Sequence, residues 1–473
     1  MKAIKYLLVG AAIVTFTTNA VAQDDNTAVI DQVSKIIQSK SPDTADQIKT
    51  IFKENKKNAA VITAIGRAYL DEKDTANAQK YADIAIKTDK HYGNAYILEG
   101  SIAALKDDGG TATMWYSQAM TMDPKNPEGY RRYAAANSKV DPAGAVATLE
   151  NLRKVRPDYP VDLLAAEIYD RAGKIDQAIE YYTKVDKSIM EDYQLTAVAT
   201  DYLLKGEFEK SLNYAQYGAQ KFPKYAGLNR VTFYDLTNLK KDEEALTYAE
   251  ALFNSDKVKI LADDYLYYGY AYLGKKDYDN AIAMYEKAIA QDSTNAKNKA
   301  DALKNISSAY QEKGDFVNAA KFFNEYLNST KKTAYDLSTL ANIYRMQGQA
   351  ATNAQEKKEA LENADKVYEE IENTFPENQD YATYNRALIK TIFDPETKTF
   401  LAKPFCEKLV EEIGSKTDLS DGQKVRLGWA HAYIGYYNLS NGNKAVAKEN
   451  FEKALAADPN NAQAKQLLPI ANK

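Results

Sequence analysis

Residues 262–299 read ADDYLYYGYAYLGKKDYDNAIAMYEKAIAQDSTNAKNK, and one spacing inside them decides the fold. Gly269, Ala281 and Ala288 stand 12 and then 7 residues apart. On a helix a seven-residue step returns to nearly the same face two turns on, so Ala281 and Ala288 leave room along one stripe for a neighbouring backbone. Between Gly269 and Ala281 lies Gly274-Lys275-Lys276-Asp277, a helix-ending Gly followed by an Asp suited to cap the next helix. The stretch reads as helix, turn, helix, with the rings of Tyr272 and Tyr285 filling the gaps between small residues.

The same set recurs along the chain. Gly66, Ala78 and Ala85 repeat 34 residues later as Gly100, Ala112 and Ala119, and again as Gly435, Ala447 and Ala454. Looser copies keep the first step: Ala166 to Ala178, Ala199 to Ser211, Ser307 to Ala319. Tyr116, Tyr182, Phe323 and Phe451 stand within the second helices, and Pro124, Pro157, Pro223, Pro376 and Pro459 follow them, where a proline cannot continue a helix. Self-similarity at a fixed interval of this length is the mark of stacked helical hairpins.

Composition agrees with such an array. Of 473 residues 45% are hydrophobic and 27% charged, with only 12 Pro and 21 Gly, which favours long helices over a turn-rich β protein. A net charge of −5 argues against a general nucleic-acid binder. One Cys and two His leave almost nothing for a zinc site, a disulfide framework or histidine catalysis, and no cofactor or metal is expected. Lys2 and Lys5, the apolar run Tyr6 to Phe16, and Ala20-Val21-Ala22 match a cleavable secretory signal over residues 1–22. The chain is therefore expected to be exported, with no integral membrane segment in its mature form.

In these positions the chain resembles the tetratricopeptide repeat (TPR) family, whose 34-residue unit carries a small residue and an aromatic in its first helix and Ala, aromatic, Ala, Pro in its second. Residues 93–126 carry Gly100, Ala112, Tyr116, Ala119 and Pro124 in register, and residues 428–461 carry Gly435, Ala447, Phe451, Ala454 and Pro459. The resemblance implies an all-α fold, an α-solenoid (right-handed superhelix) of about twelve TPR-like helix pairs starting near 26, 59, 93, 126, 159, 192, 226, 262, 300, 334, 380 and 428, with a C-terminal capping helix over 462–472. The implied layout is a signal peptide at 1–22, an N-terminal helical cap at 23–58, a TPR array at 59–333, divergent TPR-like pairs with an insertion at 334–427, and a final TPR with its capping helix at 428–473. In the divergent part the 12-residue step lengthens to 23, from Ala341 to Ala364, so residues 347–363 form an extended helix or a projecting polar loop.

Stacked hairpins leave a long surface lined by first helices. The family's groove positions fall here on Arg67, Glu167, Thr200, Arg230, Tyr234, Tyr270, Lys304, Asn342 and Arg345, the candidate partner-binding residues. Lys304 is followed four residues on by Ser308 rather than Asn, so the family's carboxylate-clamp arrangement is absent. Tyrosine is over-used, 36 against 14 Phe, and Tyr265, Tyr267, Tyr268, Tyr270 and Tyr272 surround one helix, so an exposed tyrosine patch is expected there as a hot spot. Catalytic motifs fail in turn. Gly269-x4-Gly274-Lys275 has Lys276 where a phosphate loop needs Ser or Thr, and no strand precedes it. The resemblance implies a non-catalytic scaffold or adaptor for protein partners, periplasmic and serving an outer-membrane complex; the alternative is a substrate-binding subunit that presents a peptide or glycan to a separate enzyme. Asp74-Thr75 and Asp292-Ser293 match a short bacterial glycosylation dipeptide.

Overall fold

The computed structural model describes residues 26–255 and 258–473, so the export segment expected over 1–22 lies outside the described residues. Twenty-five α-helices and two short 3₁₀ turns, with no strand, make up the regular structure of the described residues. They fall into two compact units, divided between Leu239 and Lys240. In the first, α1 (Thr27–Ser39) and α2 (Thr44–Glu54), α3 (Ala59–Asp71) and α4 (Thr75–Thr88), α5 (Gly93–Leu105) and α6 (Gly109–Met122), α7 (Pro127–Asn137) and α8 (Pro142–Val155), α9 (Val161–Arg171) and α10 (Ile175–Tyr182), and α11 (Asp192–Lys205) and α12 (Phe208–Lys221) form hairpins, followed by α13 (Ala226–Asn238). In the second, α14 (Asp242–Phe253) precedes α15 (Ala262–Gly274) and α16 (Tyr278–Gln291), α17 (Ala296–Glu312) and α18 (Phe316–Ser329), α19 (Ala334–Ala350) and α20 (Ala354–Thr374), α21 (Gln379–Phe393) and α22 (Lys403–Ile413), α23 (Asp421–Ser440) and α24 (Lys444–Ala457), and the terminal α25 (Ala462–Ala471).

Each unit is an α-solenoid whose apolar residues gather into successive local clusters. Ile48, Ile62 and Ile65 with Ala95 make one, and Leu149, Val161 and Ile168 another further along. In the second unit Phe323, Leu340 and Tyr368 make another. Such a core grows hairpin by hairpin, because each repeat buries its stripe only against its neighbours.

The small residues close the hairpins as their spacing requires. Gly66, Gly100, Gly269 and Gly435 leave no room for a methyl group: at Gly66 one would stand 2.6 Å from Leu98 Cδ2, and at Gly435 2.7 Å from Phe451 Cε1. Where Ser replaces the small residue its hydroxyl is used, Ser211 donating to the Ala199 carbonyl and Ser307 to that of Ala319, both at 2.7 Å. The turn sits seven residues beyond the small position, and there the backbone is left-handed in Lys73, Asp107, Gly173, Lys240, Lys276 and Gly314. The following N–H reaches back across the turn, Asp277 to the Tyr272 carbonyl and Asp315 to Tyr310, both at 2.9 Å. Asp74, Asp108, Asp277 and Asp315 then cap the second helices.

Gly274 ends α15 as expected and lies against the Asp242 carboxylate, while the left-handed residue of the turn is Lys276, with φ of 60°. Two expected helix starts need correction. The first helix of the final pair begins at Asp421 rather than near 428, because Ser420 and Gln423 form a reciprocal cap, so the boundary drawn at 427/428 falls inside α23. Of the two alternatives for the insertion after Ala341 the structure has the extended helix: α19 and α20 both lengthen, leaving only residues 351–353 between them, with Gly348 against Leu361. α17 starts at Ala296, four residues before the expected point, where Asn295 caps the Asn298 N–H.

Candidate interaction surface

The candidate residues share one face of their helices, since most of them follow the small position directly or precede it by three. The structure gives them unequal access to solvent. In the first unit Arg67 is half-exposed and bonded to Asp71 one turn on, Nε to Oδ1 at 3.1 Å. The Glu167 carboxylate accepts from the Tyr193 hydroxyl at 2.9 Å and from Gln194 Nε2 at 2.7 Å, with Arg131, itself paired to Glu128 at 2.6 Å, nearby. Glu167 therefore works as the hub of a polar cluster across α7, α9 and α11. Thr200 is 1% exposed, its hydroxyl donating to the Thr196 carbonyl. Arg230 is buried, and Tyr234 is fully buried with its ring edge-on to Phe233 at 5.5 Å. Thr200, Arg230 and Tyr234 thus offer a partner almost no surface.

In the second unit the candidate residues are half-buried or exposed. Tyr270 on α15 is half-buried, its ring edge-on to Tyr267 at 5.8 Å and to Tyr285 at 5.7 Å. Burial, chiefly, pushes its hydroxyl well above the ordinary phenol range, so it stays a neutral donor. Lys304 on α17 is exposed, its ammonium 5.5 Å from the centre of the Tyr326 ring. Asn342 on α19 is exposed, and the half-buried Arg345 reaches toward it, Nη1 to Oδ1 at 3.4 Å. Asp301, paired with Lys297 at 2.8 Å, stands near Tyr270. Tyr270, Lys304, Asn342 and Arg345 therefore belong to three successive first helices with charged, amide and phenolic groups accessible.

None of Tyr265, Tyr267, Tyr268, Tyr270 and Tyr272 is fully exposed, so the expected patch is a seam instead. Tyr268 stacks on Tyr272 at 4.9 Å, and Phe253 takes Tyr265 and Tyr268 edge-on or tilted at 5.1 Å each. Sequence reasoning missed the exposed part of the same face. Tyr335, 75% exposed, and Met346, 41% exposed, lie on α19 with Asn342 between them. Their spacing of seven and then four residues from Asn342 was the available signal.

The remaining groups with chemical potential are structural. Gly269 packs on Tyr285, and the sequence from Gly269 to Gly274 is helix rather than a phosphate loop. His431 is buried with Nδ1 3.1 Å from Asn450 Oδ1, and burial lowers its pKa. Cys406 is buried, which pushes its thiol up. Among the described residues no cluster of three metal-ligating side chains occurs, and no helix is long and apolar enough to cross a membrane. Thr75 is the first residue of α4, and Ser293 is exposed in the turn after α16.

Profiles of the tetratricopeptide repeat family match residues 264–332, 163–188 and 430–461. No curated protein matches the chain. Among solved structures, the C-terminal part of a TPR repeat-containing protein from Cytophaga hutchinsonii aligns at 22% identity over 64% of this chain and 98% of that one, with a TM-score of 0.41. A tetratricopeptide repeat protein from Parabacteroides merdae aligns at 15% identity over 52% of this chain and 97% of that one, with a TM-score of 0.33. The matched segments fall on α9 and α10, on α15 to α18, and on α23 and α24, hairpins built on the recurring small residues, and these hairpins are tetratricopeptide repeats.

Proposed function

We propose that the chain is a non-catalytic adaptor, exported to the periplasm, which holds a protein partner on the first-helix face of its second unit and serves an outer-membrane complex. The repeat fold itself supports a protein-interaction scaffold. The observation that carries the finer reading is the set of accessible side chains on α15, α17 and α19: Tyr270, Lys304, Tyr335, Asn342 and Met346 combine rings, a cation and an amide on one register. Such mixed aromatic and polar composition is what interface centres favour. The sequence before residue 23 supports export.

The test is photo-crosslinking in the native cell, with a benzophenone side chain placed at Tyr335 or Asn342 and, as control, at Val140 on the first unit. Crosslinks to an outer-membrane protein from the first two positions, and not from Val140, are the expected result. Crosslinks to a soluble hydrolase would favour a substrate-presenting subunit, and turnover of a substrate by the purified chain would defeat the adaptor reading.

A further inference from the structure

The hairpin of α19 and α20 lacks a ring pair that four other hairpins have. Three residues beyond the small position of the first helix a tyrosine faces an aromatic three residues beyond the small position of the second: Tyr69 with Tyr81 at 5.9 Å, Tyr169 with Tyr181 at 5.6 Å, Tyr202 with Tyr214 at 6.0 Å, and Tyr310 with Phe322 at 5.5 Å. In α19 and α20 the same register, counted from Ala341 and Ala364, holds Tyr344 and Val367. A cavity of about 200 Å³ opens at that place, between the second helices α18 and α20, with Leu327, Leu337 and Leu340 beneath it.

The polar groups around it form a defined set. Asn324 uses its Nδ2 hydrogens on the Ala320 carbonyl at 2.8 Å and the Tyr344 hydroxyl oxygen at 3.1 Å, which leaves Asn324 Oδ1 to accept and the Tyr344 O–H to donate. Asn328 and Asn363 line the cavity and make no side-chain hydrogen bond among the described residues, so each brings an unspent amide with both a donor and an acceptor. At the rim Glu370 is paired with Lys332 at 2.7 Å, and the exposed Lys366 also lines the opening. An anion drawn to Lys366 would also meet Asn324 Oδ1 and the Glu370 carboxylate, acceptors that oppose it. Neighbouring hydroxyl groups, each of which donates and accepts, match alternating amide and phenol groups, while the aliphatic floor suits a face of C–H bonds. The volume is below the roughly 300 Å³ at which pockets for drug-sized ligands begin, and fits one ring.

We propose that this cavity binds a single neutral sugar ring. The site uses side chains other than those of the proposed partner surface, so the two readings stand or fall separately. The test is saturation-transfer NMR on the full chain with glucose, galactose, mannose and N-acetylglucosamine, each alone and as its methyl glycoside. Transfer to the ring protons of at least one sugar is expected. An equal signal from its methyl glycoside identifies the end of a glycan as a source, and a signal from the free sugar alone identifies a monosaccharide; both support the site. The Asn328→Leu/Asn363→Leu double variant and the ring-restoring Val367→Phe variant should each reduce the signal at least tenfold with the helical circular dichroism unchanged. Silence from all the sugars with the wild-type chain overturns the proposal. So does a signal that survives the double variant, or broadening of the phosphorus line of inorganic phosphate while the sugars give nothing.

Discussion

The backbone of Gly269 touches the edge of the Tyr285 ring so closely that a methyl group at 269 would overlap Cε1 of that ring. Gly100 meets Tyr116 in the same way, one helix to the next, in the first unit. The contact explains why a glycine stands in the middle of a helix, where it would otherwise weaken the structure.

Gly269→Ala is therefore expected to destabilise the second unit by about 1–3 kcal/mol through overpacking. Tyr285→Phe keeps the ring and removes a buried hydroxyl that has no hydrogen-bond partner among the described residues, so it should be neutral or slightly stabilising. Thermal melts of the two variants followed by circular dichroism would distinguish them, and equal losses would show that the hydroxyl rather than the ring matters.

Lys276 and Gly314 occupy equivalent turns with nearly the same left-handed backbone, φ of 60° and 76°. Gly314→Ala should lower stability by about 1 kcal/mol or more, because a Cβ opposes that conformation. Lys276→Gly removes the same opposition but loosens the unfolded chain, so its gain should stay below about 1 kcal/mol. Melting temperatures should move in opposite directions.

Two carboxyl groups give the first unit a pH dependence. Asp235 is fully buried beside Ser211, whose hydroxyl is committed to the Ala199 carbonyl, and burial pushes its pKa up to about 8 from 3.8. Glu99 is buried too; its carboxylate accepts from Gln79 Nε2, yet burial raises it to about 7. The folded chain holds these protons at a pH where the unfolded chain has released them, so stability is fullest below about 4 and falls as the pH climbs through 7 and 8. The melting temperature should be lower at pH 9 than at pH 6, and Asp235→Asn should flatten the difference. An unchanged slope in that variant would remove Asp235 as a source.

Arg386 on α21 binds three acids of α20 at once: Nε to Asp365 at 3.2 Å, Nη1 to Glu372 at 2.7 Å and Nη2 to Glu369 at 2.8 Å. Glu372, whose side chain is 2% exposed, is also paired with Lys408 of α22. Arg386→Ala leaves Glu372 with Lys408 alone and Asp365 with Lys390 alone, and should cost about 1–3 kcal/mol. Arg386→Lys should not rescue it, because a single ammonium cannot reproduce the planar fork. Urea unfolding followed at the second unit's tryptophan, Trp429, checks both.

On the proposed partner surface, Tyr335→Ala and Asn342→Ala should weaken partner capture at least tenfold with helicity intact. Tyr234→Ala should instead cost about 3–5 kcal/mol of stability, since the ring is fully buried. Capture and melting temperature measured on the same preparations separate the two effects, and undiminished capture by both surface variants would exclude them as contacts.

The interval between Gly269, Ala281 and Ala288, and its copies at 66, 100 and 435, was enough to establish the helical hairpin, its turn and its repetition, because a step of 12 and then 7 has a direct meaning on helices that must approach closely. Periodicity also placed most helix starts to within two residues. It could not show that α23 begins at Asp421, where a local cap overrides the repeat, or that the insertion after Ala341 lengthens two helices. Nor could it decide which members of one register face solvent: Thr200 and Tyr234 are buried while Asn342 is exposed, although each follows an equivalent position. Tertiary structure alone decided that, because a residue's exposure depends on which side chains of other helices pack over it, and the cavity beside Tyr344 is likewise assembled from α18, α19 and α20, with Val367 in its lining.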